Sequence, residues 1–383
     1  MNKTNSRLSS FLSPGKYEVD LPLLYSIFIL LFLGLGIMFS GSSITASREF
    51  QDPMYFAKKQ AAWTVLSIFG FILIANIDYR YYKRYASQLI LLSLFLLVLV
   101  FIPGLGKSVH TYYGRSFHRW IGIGSFQLQP SEFAKIAIVT YLAAFLVKMN
   151  ETVHRTYRNY ILPGFLVLSV IALIIIEPAF GTTLEIISMI IALIFIDGFP
   201  IRKLLFGFIS SIPLLMILIY KVGYRKKRIE VWLDPYKYRY DEGHQLVSSF
   251  RAFNDGGWFG TNVSTGYSHR YLTYSHTDFV MATYVEDFGY IGFLFLFFLF
   301  IFLILRSFML IRRVNEPFGF LLGVGIISMI GVQILINLFV VTGVFPITGI
   351  SLPFVSYGGS SLLTVMLSLG ILCNITRKEN LQV

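Results

Sequence analysis

The sequence predicts an all-α integral membrane protein with about ten transmembrane helices in a single domain. Of its 383 residues, 55% are hydrophobic and only 14% are charged, whereas soluble proteins carry roughly 25% charged residues. The hydrophobic residues lie in ten blocks, most of which approach the roughly 20 residues that a helix needs to cross a bilayer. These blocks are 21–41, 61–77, 85–103, 133–147, 160–176, 182–196, 204–220, 290–305, 318–342 and 361–375.

The segments outside the blocks complete one polytopic domain over residues 1–383. Residues 1–20 form a polar N-terminal arm, residues 376–383 form a short tail, and residues 221–289 form a large loop between spans seven and eight. The first block is too long for the apolar part of a cleaved signal peptide, and no convincing small-residue cleavage site accompanies it. The single cysteine, Cys373, excludes a disulfide framework within the chain.

The distribution of basic residues predicts the orientation. Ten spans place both termini on one side; if that side is the cytoplasm, 16 Lys and Arg fall in cytoplasmic segments and 6 in the two short outer loops among the first four spans. This asymmetry follows the positive-inside rule, and the long loop 221–289, which then faces outward, is exempt because long loops cross largely regardless of charge. Topology and anionic membrane lipids account for the net charge of +12, so no nucleic-acid partner is predicted.

Four stretches near the outer ends of the predicted spans resemble the SEDS family (shape, elongation, division and sporulation), whose members include FtsW and RodA. The resemblance covers nearly the whole chain, and the number of spans agrees with it. The first stretch is 114–121 with 129–135 (GRSFHRWI and QPSEFAK), and the second is 178–182 (PAFGT). The third consists of the loop motifs 233–235, 243–245, 256–257 and 276–279 (LDP, GHQ, GG and HTDF). The fourth is 337–360, which ends in SYGGS.

The resemblance implies a peptidoglycan glycosyltransferase that polymerises lipid II into glycan strands at the outer face of the bacterial cytoplasmic membrane. It also implies a divalent cation, Mg²⁺ or Mn²⁺, and a class B penicillin-binding protein that cross-links the product, alongside other division or elongation proteins. The run 52–56 with Gln60 is more similar to the division branch, whereas 348–350 is closer to the elongation branch. We favour the division branch, which implies a location at the division septum.

One position departs from the family pattern. The family usually has Gln-Pro-Asp before the Gly-Thr of span six, but this chain has Glu177, Pro178 and Ala179. Either Glu177 serves in place of the missing aspartate or the role is absent, and Ala179 is assigned no function.

Asp278 is the candidate catalytic residue. The implied reaction joins the 4-hydroxyl of one lipid-linked disaccharide to the anomeric carbon of another, and a carboxylate acting as general base assists such a poor nucleophile. Asp278 lies beside His276, a candidate substrate-binding residue, at the end of the outer loop. The resemblance makes Asp278 the essential catalytic residue; the alternative is an N-cap of span eight. We also expect the helix dipole to favour its ionised form.

The other candidate substrate-binding residues lie at the start of span four. Glu132 and Lys135 are three residues apart on one helix face, where they either neutralise each other and fix the helix or bind substrate, with Lys135 and Arg119 facing the pyrophosphate. Glu185 is a further acidic partner for Lys135, because ionisable residues within spans face partners or polar cavities. Trp120 either lines the cavity or is an ordinary interfacial tryptophan.

Several other polar residues have competing interpretations. The basic run 225–228 is either a solvated interfacial face, which we favour, or a contact to lipids or pyrophosphate. Glu286 and Asp287 either hold the junction between the loop and span eight, which we favour, or bind substrate. No His/Cys cluster has zinc spacing, and the residues that would bind a divalent cation remain unknown.

Two other functions fit a polytopic chain. A lipid II flippase would also use ionisable residues within its spans, but it needs charge deep along a translocation path, whereas Asp278 is expected at the outer surface. A non-enzymatic division scaffold leaves the polar chemistry of the long loop unexplained.

Overall fold

Within the residues that the structure describes, ten long helices form a bundle, and shorter helices and strands lie in the segments that connect them. The computed structural model describes residues 19–110, 116–123, 126–152, 158–177, 179–220, 223–261, 263, 266–272 and 275–377. The elements are α1 (Leu21–Phe50), α2 (Tyr55–Ala75), α3 (Arg80–Arg84), α4 (Ala86–Leu99), β1 (Gly106–His110), β2 (Ser116–Ile123), β3 (Phe126–Leu128), α5 (Pro130–Glu151), α6 (Arg158–Ile176), α7 (Phe180–Ile196), α8 (Ile201–Tyr220), α9 (Gly223–Leu233), α10 (His244–Gly256), α11 (Tyr267–Tyr271), α12 (Val280–Ile311), α13 (Pro317–Val341) and α14 (Gly359–Ile375).

Each of the ten predicted spans corresponds to one of these helices, so the all-α membrane architecture is confirmed. Among the described residues, five helices (α1, α2, α6, α12 and α13) are long and apolar enough to cross a bilayer by themselves. Helices α4, α7 and α14 are apolar but shorter, with 14, 17 and 17 residues. Helix α5 is less apolar because it lies inside the bundle, in contact with α4, α6, α7, α13 and α14, where it carries a buried ion pair.

The segment between α4 and α5 forms a small antiparallel sheet, which the hydrophobic pattern does not predict. Its strand order is β1-β2-β3, with Ile121 of β2 paired to Gly106 on one side and to Leu128 on the other. Strand β2 is rich in aromatic and branched residues, which favour extended structure. Strand β2 carries Arg119 and Trp120, two of the predicted substrate-binding residues.

The large loop between spans seven and eight is itself helical. Helices α9, α10 and α11 occupy it, and α10 packs against α12. Gly289 interrupts α12 with φ 67° and ψ −169°, and a Cβ atom there would clash with the carbonyl oxygen of Trp258. The spanning part therefore begins near residue 290, as the sequence predicts, and the segment before the kink packs against α10.

The C-terminal motif segment returns into the helix bundle between α13 and α14. Its residues Leu352, Phe354 and Val355 are buried. Helix α1 accommodates it at Gly34, where a Cβ atom would clash with the carbonyl oxygen of Phe354. This packing brings Ser356 and Tyr357 beside the turn that precedes α12.

Candidate functional site

Asp278 lies in the turn that connects α11 to α12 and is half-buried. The N-cap of α12 is Phe279, and no side chain in the described part of the chain caps that helix. Asp278 instead accepts a hydrogen bond on Oδ1 from the Thr277 hydroxyl at 2.9 Å. The interpretation of Asp278 as a helix cap is therefore wrong, and its carboxylate is available for another role.

The backbone of this turn is held by three donors from the C-terminal part of the chain. The carbonyl oxygens of residues 276, 277 and 278 accept hydrogen bonds, in that order, from the Tyr357 backbone N–H at 2.7 Å, the Ser356 hydroxyl at 2.6 Å and the Asn337 side-chain amide at 2.9 Å. Two motifs that are distant in the sequence thus form one unit. Because the donors bind backbone oxygens, they fix the turn without occupying the Asp278 carboxylate.

The pKa of Asp278 is raised, because burial outweighs the lowering effects of the Thr277 hydrogen bond and the Arg228 positive charge. The expectation from the helix dipole, that the ionised form is favoured, is wrong in direction: loss of water around the carboxylate dominates. A raised pKa brings the carboxyl group closer to the operating pH, where a general base is most effective.

His276 is buried among aromatic rings. Its ring lies 4.4 Å from that of Phe56 and 5.7 Å from that of Tyr357, measured between centroids. Burial lowers the pKa of His276 to about 4, so the side chain is neutral at pH 7. It therefore supplies no positive charge to the site, and its role in substrate binding stays a prediction.

Two arginines of α9 bind backbone carbonyl oxygens of two other segments of the chain. Arg225 donates to the carbonyl oxygen of Ile175 at the C-terminal end of α6 at 3.4 Å, and Arg228 donates to the carbonyl oxygen of Ile347 at 3.0 Å. Residues three apart lie on one helix face, so these guanidinium groups share a face of α9. The interpretation of the basic run as a solvated face fits Lys226, which is exposed, but not these two arginines. Their spacing of three residues was the sequence signal that could have predicted their shared orientation.

Arg119 lies near the same end of α6. Its Nε donates to the carbonyl oxygen of Glu177 at 3.0 Å, and Arg119 and its neighbour Trp120 are both half-buried. Arg119 and Arg225 therefore bind carbonyl oxygens two residues apart. The structure brings these two arginines together, which the sequence did not indicate, and the roles predicted for Arg119 and Trp120 remain predictions.

Lys135 is completely buried within the helix bundle. Its Nζ lies 3.0 Å from Glu132 Oε2 and 2.8 Å from Glu185 Oε1, and it donates to Gln333 Oε1 at 3.4 Å. The structure thus identifies Glu185 as the second partner of Lys135. This arrangement favours the interpretation that the pair fixes the helix, and the substrate-binding roles of Glu132 and Lys135 stay predictions.

The acidic pair before the kink in α12 anchors the loop between α8 and α12. Glu286 accepts a hydrogen bond from the Tyr267 backbone N–H at 2.7 Å. Asp287 bonds to His269 Nε2 at 2.8 Å and accepts from the Ser40 hydroxyl at 2.9 Å. The geometry agrees with the junction role expected for both acids.

Relatives with established names resemble this chain over nearly its whole length. A family model for cell cycle proteins, covering FtsW, RodA and SpoVE, matches residues 21–381. The probable peptidoglycan glycosyltransferase FtsW of Geobacter sulfurreducens is 36% identical over 362 residues, covering 94% of this chain and 95% of that protein. Stage V sporulation protein E of Bacillus subtilis is 34% identical over 365 residues, covering 94% and 98%.

Solved structures show the same fold. A chain from a peptidoglycan synthase complex that coordinates polymerization and crosslinking superposes with a TM-score of 0.78 at 26% identity, covering 95% of this chain and 99% of that one. The rod shape determining protein RodA of Thermus thermophilus gives a TM-score of 0.69 at 25% identity, covering 95% and 98%. With the family model matched along nearly its entire length, the chain belongs to the FtsW/RodA/SpoVE family of cell cycle proteins.

Proposed function

We propose that the protein is a peptidoglycan glycosyltransferase that polymerises lipid II at the outer face of the bacterial inner membrane, with Asp278 as the catalytic residue. The observation that carries the proposal is the turn at 276–278: a half-buried carboxyl group with a raised pKa on a backbone fixed by three hydrogen bonds. The names of the relatives support the reaction class. The proposed topology puts the turn at the outer end of α12, the side on which both lipid-linked substrates lie.

The Asp278 carboxylate acts as the general base. It accepts the proton of the acceptor 4-hydroxyl while that oxygen forms a bond to the anomeric carbon of the donor. The bond from the anomeric carbon to the pyrophosphate oxygen breaks at the same time, and the lipid pyrophosphate leaves with the electron pair. General-base catalysis of this kind contributes typically 10²–10⁴-fold.

The leaving pyrophosphate requires positive charge close to Asp278. Arg228 acts electrostatically on Asp278, and Arg225 and Arg119 lie along the same outer region. Fixed cationic donors stabilise negative charge that develops in a transition state. These three arginines are the best-supported pyrophosphate-binding residues.

A divalent cation fits this site only if the protein and the substrate together supply its ligands. The described residues contain no group of three or more His, Cys, Asp or Glu side chains able to hold a metal ion. Mg²⁺, however, is commonly bound by one or two carboxylates together with substrate phosphates and water. Asp278 would hold such an ion jointly with the pyrophosphate, and the ion would add positive charge at the leaving group.

The expected partner is a class B penicillin-binding protein, because the polymerised strands must then be cross-linked. The structural relative that coordinates polymerization and crosslinking within a synthase complex supports this pairing. Similarity to proteins named FtsW supports the division branch, with other division proteins as neighbours at the septum.

The proposal is tested by incubating fluorescent lipid II with the purified protein and its partner and separating the products by size. Glycan strands are the expected result. A flippase would produce no strands but would move labelled lipid II across the bilayer of a liposome. A scaffold would do neither, so the two assays together separate the three functions.

Orientation is tested by cysteine labelling. We expect a membrane-impermeant maleimide to label Val263→Cys in intact cells and Asn315→Cys only after permeabilisation, because the proposed topology places the α9–α12 region outside. Val263 is 51% exposed, and the native Cys373 is buried, so background labelling should be low. The reverse pattern would exclude the topology and the mechanism with it.

Arg228→Gln should move the acid limb of the pH–rate profile to higher pH. The base works only when ionised, so activity falls as pH drops through the pKa of Asp278. Arg228 holds that pKa down, and removing its charge should raise the pKa further. The measurement is the initial polymerisation rate between about pH 5 and 9, the range over which ordinary and raised carboxyl groups titrate in folded proteins.

Lys226→Gln is the matched control, since Lys226 lies on the same helix but is exposed and has only a 3.7 Å contact with Glu230. It removes the same charge without contacting the site, so its profile should match that of the wild type. An acid limb that moves equally in both variants would show that net charge, rather than the position of Arg228, sets the pKa.

A further inference from the structure

Glu177 is a buried carboxyl group that the mechanism above does not use. Its side chain is 1% exposed, and neither carboxyl oxygen has a hydrogen-bond partner among the described residues. Buried polar groups in native proteins are nearly always paired, and each exception calls for a specific explanation such as a ligand or water. An unpaired carboxyl group at the edge of a functional site is a candidate ligand contact.

The surroundings of Glu177 determine what it can bind. Burial raises the pKa of Glu177 to about 8 even though the Arg119 charge opposes the shift. At pH 7 the group is therefore mostly protonated, and a protonated carboxyl both donates and accepts a hydrogen bond. Because the adjacent arginine disfavours a metal ion and the carboxyl would repel phosphate when ionised, the matching ligand is a neutral polar group, such as a sugar hydroxyl or amide.

Contacts between α7, the C-terminal loop and α13 connect the segment that follows Glu177 to the Asp278 turn. The first turn of α7 packs on the C-terminal loop, since a Cβ atom at Gly181 would lie 3.0 Å from the carbonyl oxygen of Thr348. Asn337 binds the carbonyl oxygen of Ile350 in that loop at 2.7 Å and the carbonyl oxygen of Asp278 at 2.9 Å.

Helix α9 also connects the segment around Glu177 with the C-terminal loop that holds the Asp278 turn. Arg225 binds Ile175, two residues before Glu177, and Arg228 binds Ile347 near the Asp278 turn. A single helical turn separates the two arginines. Glu177 and Asp278 therefore belong to one outer site rather than to separate regions.

We propose that Glu177 is a substrate-binding residue whose carboxyl group hydrogen-bonds a hydroxyl or amide group of the lipid-linked sugar while Arg119 interacts with the pyrophosphate. This inference rests on the proposed function. It also accounts for the departure from the Gln-Pro-Asp pattern, since a carboxyl group is kept two residues before Ala179. Ala179 is the N-cap of α7, and its methyl side chain cannot cap the helix.

The decisive variants are Glu177→Leu and Glu177→Gln, with the exposed Glu49→Leu as a control outside the site. The leucine removes hydrogen bonding at similar volume, whereas the glutamine keeps a donor and an acceptor. We expect Glu177→Leu to raise the KM for lipid II about tenfold with a smaller effect on kcat, and Glu177→Gln to recover most of the affinity. Glu49→Leu should behave like the wild type.

Thermal unfolding separates binding from folding. Replacing an unpaired buried carboxyl group by an apolar side chain should leave the melting temperature equal or higher, so a weaker KM in a stable Glu177→Leu protein supports the contact. An unchanged KM, or a KM that rises only together with a lower melting temperature, would overturn it. Binding of lipid II in the absence of turnover is measured in parallel for the wild type and for each variant. A wild-type protein that binds lipid II but does not polymerise it would contradict the proposed function without contradicting the contact with Glu177.

Discussion

Asp278→Asn should reduce glycan polymerisation by at least about 10²-fold, the lower end of what general-base catalysis contributes. Asparagine keeps the size of the side chain and can still accept the hydrogen bond that Thr277 donates at 2.9 Å. It removes the charge and the basicity that the mechanism requires. The fold should survive, because the turn is held through the carbonyl oxygens of residues 276–278 rather than through the carboxylate.

The control for this variant is Asp241→Asn, which neutralises an exposed carboxylate in the same outer loop. Both proteins should insert, melt at the wild-type temperature and bind the partner, and only Asp278→Asn should lose strand formation. A fall of less than about tenfold in a well-folded Asp278→Asn protein would count against general-base catalysis and return the flippase and the scaffold to consideration.

The helices were predictable because the bilayer imposes a length and an apolar composition on every span. The structure departs from the prediction in the segments outside the spans, where the bilayer imposes no such constraint. The sheet around β2 lies outside the spans, and so does the helical segment before Gly289. There the chain can fold back because glycine adopts a positive φ and approaches the Trp258 carbonyl closely. Neither feature leaves a hydrophobic block as a signal.

The candidate site was predictable only in part, for a related reason. Asp278 stands out in a motif, but its environment comes from residues far along the chain: Ser356 binds the Thr277 carbonyl across 79 positions. The Arg119 contact with Glu177 spans 58 positions. Such contacts are set by packing of the helices, so the sequence could propose the carboxylate but could not give its pKa or identify Glu177 as unpaired.

The interior of the bundle links stability to the same site. Gln333 accepts from Lys135 and its amide donates to the carbonyl oxygen of Ser351 at 2.9 Å. Ser351 belongs to the C-terminal loop that holds the Asp278 turn. A change at Lys135 can therefore affect activity through the position of this loop as well as through any direct contact with substrate.

Lys135→Met should destabilise the protein by roughly 3–5 kcal/mol, the cost of breaking a buried ion pair from one side. The ammonium group lies between the carboxylates of Glu132 and Glu185 at 3.0 and 2.8 Å. Methionine has a similar length but no charge, so both acids would remain buried without their cation and would repel each other if ionised. The measurement is thermal unfolding of the purified protein in detergent, together with the polymerisation rate.

Lys58→Met is the matched control, because Lys58 forms a 2.8 Å pair with Asp52 on the surface, with side chains 66% and 37% exposed. A pair of that kind contributes about 0–1 kcal/mol, so its melting temperature should barely change. The double variant Lys135→Met/Glu185→Gln should recover part of the stability, since the second substitution removes one of the two uncompensated carboxylates. Lost polymerisation in a Lys135→Met protein that melts like the wild type would instead assign Lys135 to the substrate, because an ion pair that only fixes the helix cannot be removed without a change in melting.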